Sequence, residues 1–330
     1  MKRLHWLLPH PSLGNFSSNE LEHHNLASVR LRAGPFSSCL DNRSKTYKVS
    51  FGEAIERESL DILVIGKIGA DNSQGRLERW STVIAQTSRS GGKVILDFTD
   101  DHLGTKTQMT DFYEWAVNRA DAFVASSEHL LNIVLSIRDL PGRIIEDAVE
   151  FSVQAPRRHL ANPAPTLFWF GHSTNINSLV NGLNAISCDK KFRLHVMTND
   201  VGLQLLRASS IAWDKFINPI ATTWSVASLE KVASECDFAF IPKGSEPRKK
   251  GVSTNRLITS LTLGLPTFAG DFDSYKRFDD YFSPVEDLIS KEIERLTSEG
   301  YQKVIQAQKN ICQDYTFDKI GRIWMDYLIE

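Results

Sequence analysis

Short apolar runs alternate with amphipathic segments along most of the chain. Several of these runs are apolar without a break, as is typical of parallel strands that are covered on both faces. The runs predict ten strands: Leu4–Leu8, Ile62–Ile65, Lys93–Asp97, Ala122–Ala125, Ile144–Ile145, Thr166–Phe170, Arg193–Met197, Phe216–Asn218, Phe238–Ile241 and Thr267–Ala269.

The segments between the runs carry apolar residues at three- and four-residue spacing, the period of a helix with one buried face. They predict helices over Glu20–Val29, Leu77–Ser88, Met109–Arg119, Ser127–Ile137, Ile176–Ile186, Ser225–Ser234, Asn255–Leu263 and Lys291–Gln313. A last apolar stripe, from Ile320 to Leu328, predicts a C-terminal helix. Strands that alternate with helices in this way indicate an α/β fold with parallel sheets.

A proline-rich segment divides the chain into nearly equal halves. Gln154–Pro165, with the sequence QAPRRHLANPAP, has little apolar periodicity, and we predict that it is a linker. The prediction is two Rossmann-like, doubly wound domains, residues 1–155 and 156–330, that face an interdomain cleft. The last helix is able to pack back on the N-terminal domain. Ligands of doubly wound sheets bind beyond the carboxyl ends of the strands, so the loops there are the candidate sites.

A cationic loop leads from the predicted strand Phe238–Ile241 into the helix that begins near Asn255. The backbone N–H groups and the dipole at such a helix start favour an anion, which we predict to be the phosphate of a nucleotide. A glycine turn after the strand Thr166–Phe170 can cradle the same phosphate. The predicted nucleotide-binding residues are Gly171, His172, Lys243, Lys249, Lys250, Ser253, Thr254, Asn255 and Arg256.

Each of these features has a structural alternative. A run of charges is commonly a solvated face, so we expect one or two of the loop cations to contact a phosphate. Ser253 and Asn255 are also suited to cap the helix they precede. Ser173 or Thr174 is suited to cap the helix that follows Gly171.

Acidic residues and a histidine follow the predicted strand Lys93–Asp97 in the first half. Asp100, Asp101 and His102 are the candidate catalytic residues, because carboxylates and imidazole can take a proton from a hydroxyl. The alternative is a turn with an aspartate cap. Upstream, the run SVRLR contains Arg30 and Arg32, which we expect to face either the cleft or solvent.

Composition narrows the possible functions. The 330 residues carry a net charge of -2, which gives no global attraction to nucleic acid. The four cysteines have no paired spacing and no HExxH motif occurs, so neither a metal site nor a disulfide framework is expected. The start, MKRLHWLLPHP, is interrupted by His5, and we interpret it as a first strand rather than a leader peptide. We expect a cytoplasmic protein, with peripheral association at the inner face of the membrane left open.

Several segments together resemble glycosyltransferases of the GT-B type, in particular family 4 (glycosyl transferases group 1). These segments include KVILDFTDDHL, ADAFVASSEHLLNIV, LFWFGHSTNINSL and, most specifically, CDFAFIPKGSEPRKKGVSTNRLITSLTLGLPTFAGD. The resemblance implies two Rossmann-like domains, the second of which holds a nucleotide sugar. It implies transfer of that sugar to a hydroxyl of a glycan or lipid-linked glycan in surface glycan synthesis. The donor is a substrate, so no cofactor is expected, and the cations make a metal unnecessary.

One departure from the family pattern affects this expectation. Family-4 enzymes carry two glutamates about two turns apart on this loop and helix, and Gly251 and Thr259 stand at those positions here. The retaining mechanism and the ribose contact are therefore open, and a non-catalytic glycosyltransferase-like subunit that binds a glycan or a partner enzyme is the alternative. Base recognition is expected around Asn218–Trp224.

Overall fold

The structure is a computed structural model of the whole chain. It describes residues 1–40, 43–55, 59–68, 75–104, 106–107, 109–157, 164–186, 191–211, 213–244 and 251–329. By its internal contacts the chain divides into two compact units. The first contains Met1–Ala148, a short stretch that ends at Ser253, and the C-terminal helix; the second contains the remaining chain between Val149 and Thr316.

The first unit is built on a six-stranded parallel sheet in the order β2-β1-β3-β4-β5-β6. Its strands are β1 (Lys2–Leu7), β2 (Tyr47–Gly52), β3 (Ile62–Ile65), β4 (Lys93–Phe98), β5 (Ala122–Ala125) and β6 (Gly142–Ile144). Side chains alternate between the two faces along a strand, and here both faces are buried. Leu63 and Ile65 of β3 belong to one core cluster, and Val64 between them belongs to another. This double burial explains the unbroken apolar runs in the sequence.

Helices cover both faces of this sheet. Their bounds are α1 (Ser18–Glu22), α2 (Gly34–Ser38), α3 (Arg76–Arg89), α4 (Thr110–Val117), α5 (Glu128–Ile137) and the C-terminal α12 (Phe317–Leu328). The indole of Trp324 on α12 packs against Trp6 of β1, with ring centroids 4.7 Å apart. A Cβ at Gly321 would lie 2.2 Å from the carbonyl oxygen of Pro35, so only glycine permits this close packing of α12 on α2.

The second unit repeats the architecture with the strand order β12-β11-β10-β7-β8-β9, again all parallel. The strands are β7 (Thr166–Phe170), β8 (Phe192–Thr198), β9 (Phe216–Thr223), β10 (Phe238–Ile241), β11 (Thr267–Ala269) and β12 (Ser283–Pro284). The helices are α6 (Ile176–Ala185), α7 (Asp200–Arg207), α8 (Val226–Ser234), α9 (Asn255–Thr262), α10 (Asp287–Ser290) and α11 (Ile293–Asn310). The predicted α/β class with two doubly wound sheets is confirmed.

Three local predictions are wrong for identifiable reasons. The segment predicted as a helix over Glu20–Val29 forms only the short α1, and a π-helical turn then covers Val29–Ala33. The edge strand β2 was missed because its residues are mostly half-buried or exposed and lack an apolar run. The strand predicted over Phe216–Asn218 continues to Thr223 as the edge strand β9, so Asn218–Trp224, where base recognition is expected, lies almost entirely within a strand.

The placement of Arg30 and Arg32 also differs from the prediction. Both side chains are buried, whereas we expected them to face a cleft or solvent. Sequence patterns assign arginine to the surface because a guanidinium is costly to bury without partners. Arg32 finds its partners in distant segments, whereas Arg30 donates to the nearby backbone carbonyls of His24 and Asn25. None of the described helices is long and apolar enough to cross a membrane.

Candidate functional site

The carboxyl ends of the parallel strands bring several predicted residues of the second unit to one sheet edge. Gly171 follows β7, Lys243 follows β10 shortly after Ile241, and Asn199 follows β8. Since β10, β7 and β8 are consecutive neighbours in the sheet, these three positions are neighbours at its edge. The sequence did not identify Asn199, because a single asparagine after a strand has no distinctive pattern.

Arg256 on the first turn of α9 converges with Gly171. The Nη1 atom of Arg256 is 3.6 Å from the position that a Cβ at residue 171 would occupy. The guanidinium therefore lies within contact distance of the turn that follows β7, while glycine is needed there because a Cβ would lie 2.9 Å from the ring of Trp169. No acidic residue lies in the first turn of α9, so the cation stands at a helix terminus that favours an anion.

Two side chains shape the turn after β7. His172, not Ser173 or Thr174, is the N-cap of the short helical turn, and its Nδ1 accepts the Thr174 N–H at 3.4 Å. The Oδ1 atom of Asn199 accepts the N–H groups of Ser173 at 3.1 Å and of Gly202 at 3.2 Å, which ties the β7 turn to the start of α7. The imidazole of His172 is therefore part of the construction of the turn.

Lys243 occupies an exposed position beside the chain that follows β11. Its ammonium donates a hydrogen bond to the backbone carbonyl of Asp271. A Cβ at Gly270 would lie 2.7 Å from the backbone nitrogen of Lys243, so the close approach of these two loops requires glycine. Lys249 and Lys250, the other predicted loop cations, lie outside the described residues.

The predicted start of α9 is correct, but the predicted caps are not. The N-cap residue is Thr254, which makes no hydrogen bond of its own side chain to the helix, and Asn255 is already the first helical residue. The hydroxyl of Ser253 donates to Asp147 Oδ2 at 2.5 Å, within the first unit. The Asp147 carboxylate therefore holds the Ser253 hydroxyl, whose single proton is used in this hydrogen bond.

The two positions that depart from the family-4 pattern are both closely packed. A Cβ at Gly251 would lie 2.7 Å from Cδ2 of His129 and 3.1 Å from Cδ2 of Leu130. Thr259 on α9 is 3% exposed. A glutamate at residue 251 would have to displace the His129 ring, so this chain is built around the absence of that carboxylate.

A buried ion-pair cluster lies at the carboxyl end of β4 in the first unit. The Nε and Nη2 atoms of Arg32 donate to the Asp97 carboxylate at 2.8 and 2.6 Å, and Nη1 donates to Asp147 Oδ1 at 3.1 Å. The guanidinium also lies 5.1 Å from the centroid of the Trp324 ring. Burial lowers the pKa of Arg32, but the two carboxylates outweigh burial and raise it overall. Asp97 is thereby fully engaged in structure.

Asp100 and His102 form a second group on the loop after β4. Asp100 is paired with Lys67, which follows β3, and its Oδ2 lies 4.0 Å from Nε2 of His102. The His102 ring stacks on Tyr113 with centroids 4.8 Å apart, and its Nδ1 is 3.0 Å from Thr107 Oγ1. The Asp100 side chain is 43% exposed, which leaves it accessible to a ligand.

Asp101 has a different environment from Asp100. It is buried, and its Oδ1 accepts the backbone N–H groups of Gly104 at 2.6 Å and Leu103 at 3.3 Å. This is the turn-capping arrangement that the sequence left open as an alternative. Of the three predicted catalytic residues, Asp100 and His102 thus lie together, and Asp101 stabilises the turn that carries them.

Among the described residues there is no group of three or more histidines, cysteines, aspartates and glutamates arranged to hold a metal ion.

The sequence analysis missed one further charged cluster at the same edge of the first unit. Glu53, which follows β2, accepts hydrogen bonds from Arg76 Nε at 2.7 Å and Arg79 Nη2 at 2.8 Å. The residues are far apart in sequence, so no local motif reveals this cluster.

Comparison with solved structures found similar folds. The chain is similar to Anabaena HepE in complex with UDP, with a TM-score of 0.58, 10% identity and 99% coverage of both chains. The fold is GT-B. A trehalose-6-phosphate structure from E. coli, bound with UDP-2-fluoro glucose, gives a TM-score of 0.59 at 7% identity and covers 100% of this chain and 99% of that one.

A third GT-B structure is the apo form of the lipopolysaccharide outer core galactosyltransferase WaaB. It gives a TM-score of 0.56 at 13% identity, and covers 99% of this chain and 98% of that chain. The chain also spans 57% of the length of a chain in a GtfA/B complex. No protein-family model and no curated protein sequence matches the chain. At identities this low, the structural similarity establishes only the fold of the chain, and its activity has to be argued from the site.

Proposed function

We propose that the protein is a glycosyltransferase that moves a hexosyl group from a nucleotide sugar to a hydroxyl of a glycan or lipid-linked glycan. The single observation that supports this most strongly is the convergence of Arg256 with the Gly171 turn at the edge of the second sheet. In a transferase the departing nucleoside diphosphate gains negative charge as the glycosidic bond breaks. A preorganised guanidinium beside a helix N-terminus stabilises that charge without reorganisation.

The donor in this proposal is a uridine diphosphate sugar. Two of the GT-B structures that the chain resembles were solved with UDP or a UDP-sugar analogue. Lys243, and by position in the sequence Lys249 and Lys250, would add positive charge for the diphosphate. In the proposed reaction these cations take the place of a metal ion. The proposed role in surface glycan synthesis is based on the similarity to WaaB.

Proton removal from the acceptor is assigned to Asp100. A general base must be accessible and must retain a lone pair for the hydroxyl proton. Asp100 is accessible, whereas Asp101 is buried and its carboxylate accepts two backbone N–H groups. Lys67 and His102 lie beside Asp100 and would fix the orientation of its carboxylate.

A non-catalytic, glycosyltransferase-like subunit is the second candidate. It is favoured by the packing of His129 against Gly251, which leaves no space for the carboxylate that family-4 enzymes carry there. Such a subunit would keep the fold and bind a glycan or a partner enzyme without turnover.

A thermal-shift screen of nucleoside mono- and diphosphates tests the donor proposal, because a ligand that binds only the folded state raises the melting temperature. We expect UDP to give the largest shift. Release of UDP from UDP-glucose and UDP-galactose with methyl glycosides as acceptors then separates the two candidates. Turnover supports the enzyme. No shift with any nucleotide contradicts the enzyme and favours the subunit that binds a glycan or a partner enzyme.

A further inference from the structure

The loop after β1 is folded around an imidazole ring. The Nδ1 atom of His10 accepts the backbone N–H groups of Gly14 at 3.0 Å and Ser12 at 3.2 Å. Leu13, between them, has a φ of 59°, a left-handed conformation that is uncommon for a leucine. A nitrogen that accepts N–H groups carries no proton, so the ring proton of His10 is on Nε2.

A buried carboxylate holds the backbone of this loop. The N–H of His10 donates to Glu53 Oε1 at 2.9 Å, and the N–H of Glu53 donates to the carbonyl of Gly14 at 2.9 Å. The side chain of Glu53 is 2% exposed and is paired with Arg76 and Arg79. Burial raises the pKa of Glu53, but the hydrogen bonds from Arg79, the His10 amide and Arg76 outweigh burial and lower it overall.

This construction is more elaborate than a connecting loop needs. A carboxylate with two guanidinium partners is costly to desolvate, and strained backbone conformations concentrate at functional sites. These hydrogen bonds and ion pairs together fix the position of the His10 ring. The position of that ring, beyond the carboxyl end of β1, is where parallel sheets bind ligands.

The surroundings of the ring suit a sugar. His10 packs on Phe16 with ring centroids 4.4 Å apart, and Phe16 in turn meets the ring of His24 edge-on at 5.1 Å. His10 and Phe16 are both half-buried, and within the described part of the chain Nε2 of His10 makes no hydrogen bond. An apolar ring next to one directed N–H donor is the combination found in small-molecule sites that recognise hydroxyl groups.

We propose that His10 binds the sugar acceptor, with its Nε2–H donating a hydrogen bond to an oxygen of that sugar, and that Glu53 is the positioning residue that fixes the ring. The inference rests on the proposed glycosyl transfer, since it assigns the acceptor to the loop after β1. It makes His10 a residue that determines acceptor specificity, separate from Asp100 on the loop after β4. The charged and titratable groups near the ring are Glu20 and His24.

Two isosteric variants separate the roles of the two ring nitrogens. His10→Asn keeps an acceptor near the position of Nδ1, so the loop retains its turn, and it removes the donor at Nε2. His10→Gln keeps a donor near the position of Nε2 and removes the acceptor that builds the turn. His23→Asn, on an exposed histidine of the neighbouring segment, is the matched control. Glu53→Gln tests the positioning role.

The readout is a titration of the ¹⁵N-histidine-labelled, 330-residue chain with methyl glycosides of glucose, galactose and mannose. We expect the wild-type His10 ring to be the Nε2–H tautomer and its Nε2 resonance to shift with at least one glycoside. His10→Asn should weaken that glycoside about tenfold, the value of one hydrogen bond, and His23→Asn should not. Glu53→Gln should weaken it and change the tautomer population.

The contradicting results are separate from those of the proposed function. An Nδ1–H tautomer, no response to any glycoside, or equal glycoside affinity in His10→Asn and wild type would each overturn the assignment of His10. UDP affinity of the same samples, measured in parallel, reports on the second unit. If the wild-type protein does not bind UDP, the donor proposal is contradicted, and the glycoside titration still decides the role of His10.

Discussion

The edges of the two sheets use charge in opposite ways. In the first unit the carboxyl-end loops enclose charges in internal pairs, with Arg32 held by Asp97 and Asp147 and Glu53 held by two arginines. In the second unit the corresponding turn is built with neutral hydrogen bonds that the Asn199 Oδ1 atom accepts, and Arg256 lies beside Gly171. One edge is therefore suited to hold a proton acceptor in a fixed place, and the other to attract an anion.

The largest effect should come from breaking the buried cluster of the first unit. Arg32→Met leaves the Asp97 carboxylate buried without its main partner, and we expect the free energy of unfolding to fall by about 3–5 kcal/mol in urea denaturation. Arg322→Met removes an ion pair with Asp318 at the surface, where the two side chains are 66% and 68% exposed. This control should cost less than about 1 kcal/mol. Similar losses for both variants would contradict the distinction between enclosed and surface charge.

Acid should destabilise the first unit through His5 in β1. Burial lowers the pKa of His5 from 6.5 to about 4, against the hydrogen bond with the Gly52 carbonyl. The unfolded chain therefore takes up this proton at a higher pH than the folded chain, and stability that is present above pH 6.5 is lost as the pH falls toward 4.

The loss attributable to His5 is about 3 kcal/mol over that range. His5→Gln should remove this part of the pH dependence, measured as the difference between variant and wild-type unfolding free energies at pH 7 and pH 4.5. His23→Gln is the control for the substitution itself. A His5→Gln variant that loses stability in acid as steeply as the wild type would show that another group dominates.

A matched pair of aspartates should separate structure from chemistry within one loop. Asp101→Ala removes the acceptor of two backbone N–H groups and should cost about 1–3 kcal/mol of stability. Asp100→Asn should change stability little and lower turnover with UDP-sugar donors by 10²-fold or more, roughly the contribution of a general base. Equal turnover in Asp100→Asn and wild type would remove Asp100 from the proposed mechanism.

Much of the fold was predictable from the sequence, because buried parallel strands are unbroken apolar runs. β3, β5, β7, β10 and β11 have the predicted bounds. The start of α9 and the position of Gly171 were predicted for the same local reasons. The clusters around Arg32 and Glu53 were not, since their partners are separated by 65 residues for Asp97 and by 23 residues for Arg76, and no local pattern encodes such pairs.

Calorimetric titration of UDP tests the central claim, that the edge of the second sheet binds the diphosphate of the donor through Arg256. We expect UDP to bind the wild-type protein, and Arg256→Met to weaken it by about tenfold or more, the loss of a charged hydrogen bond, with the fold retained. Arg295→Met, an exposed arginine on α11, should bind UDP as the wild type does. Equal UDP affinity in Arg256→Met and wild type would contradict the account.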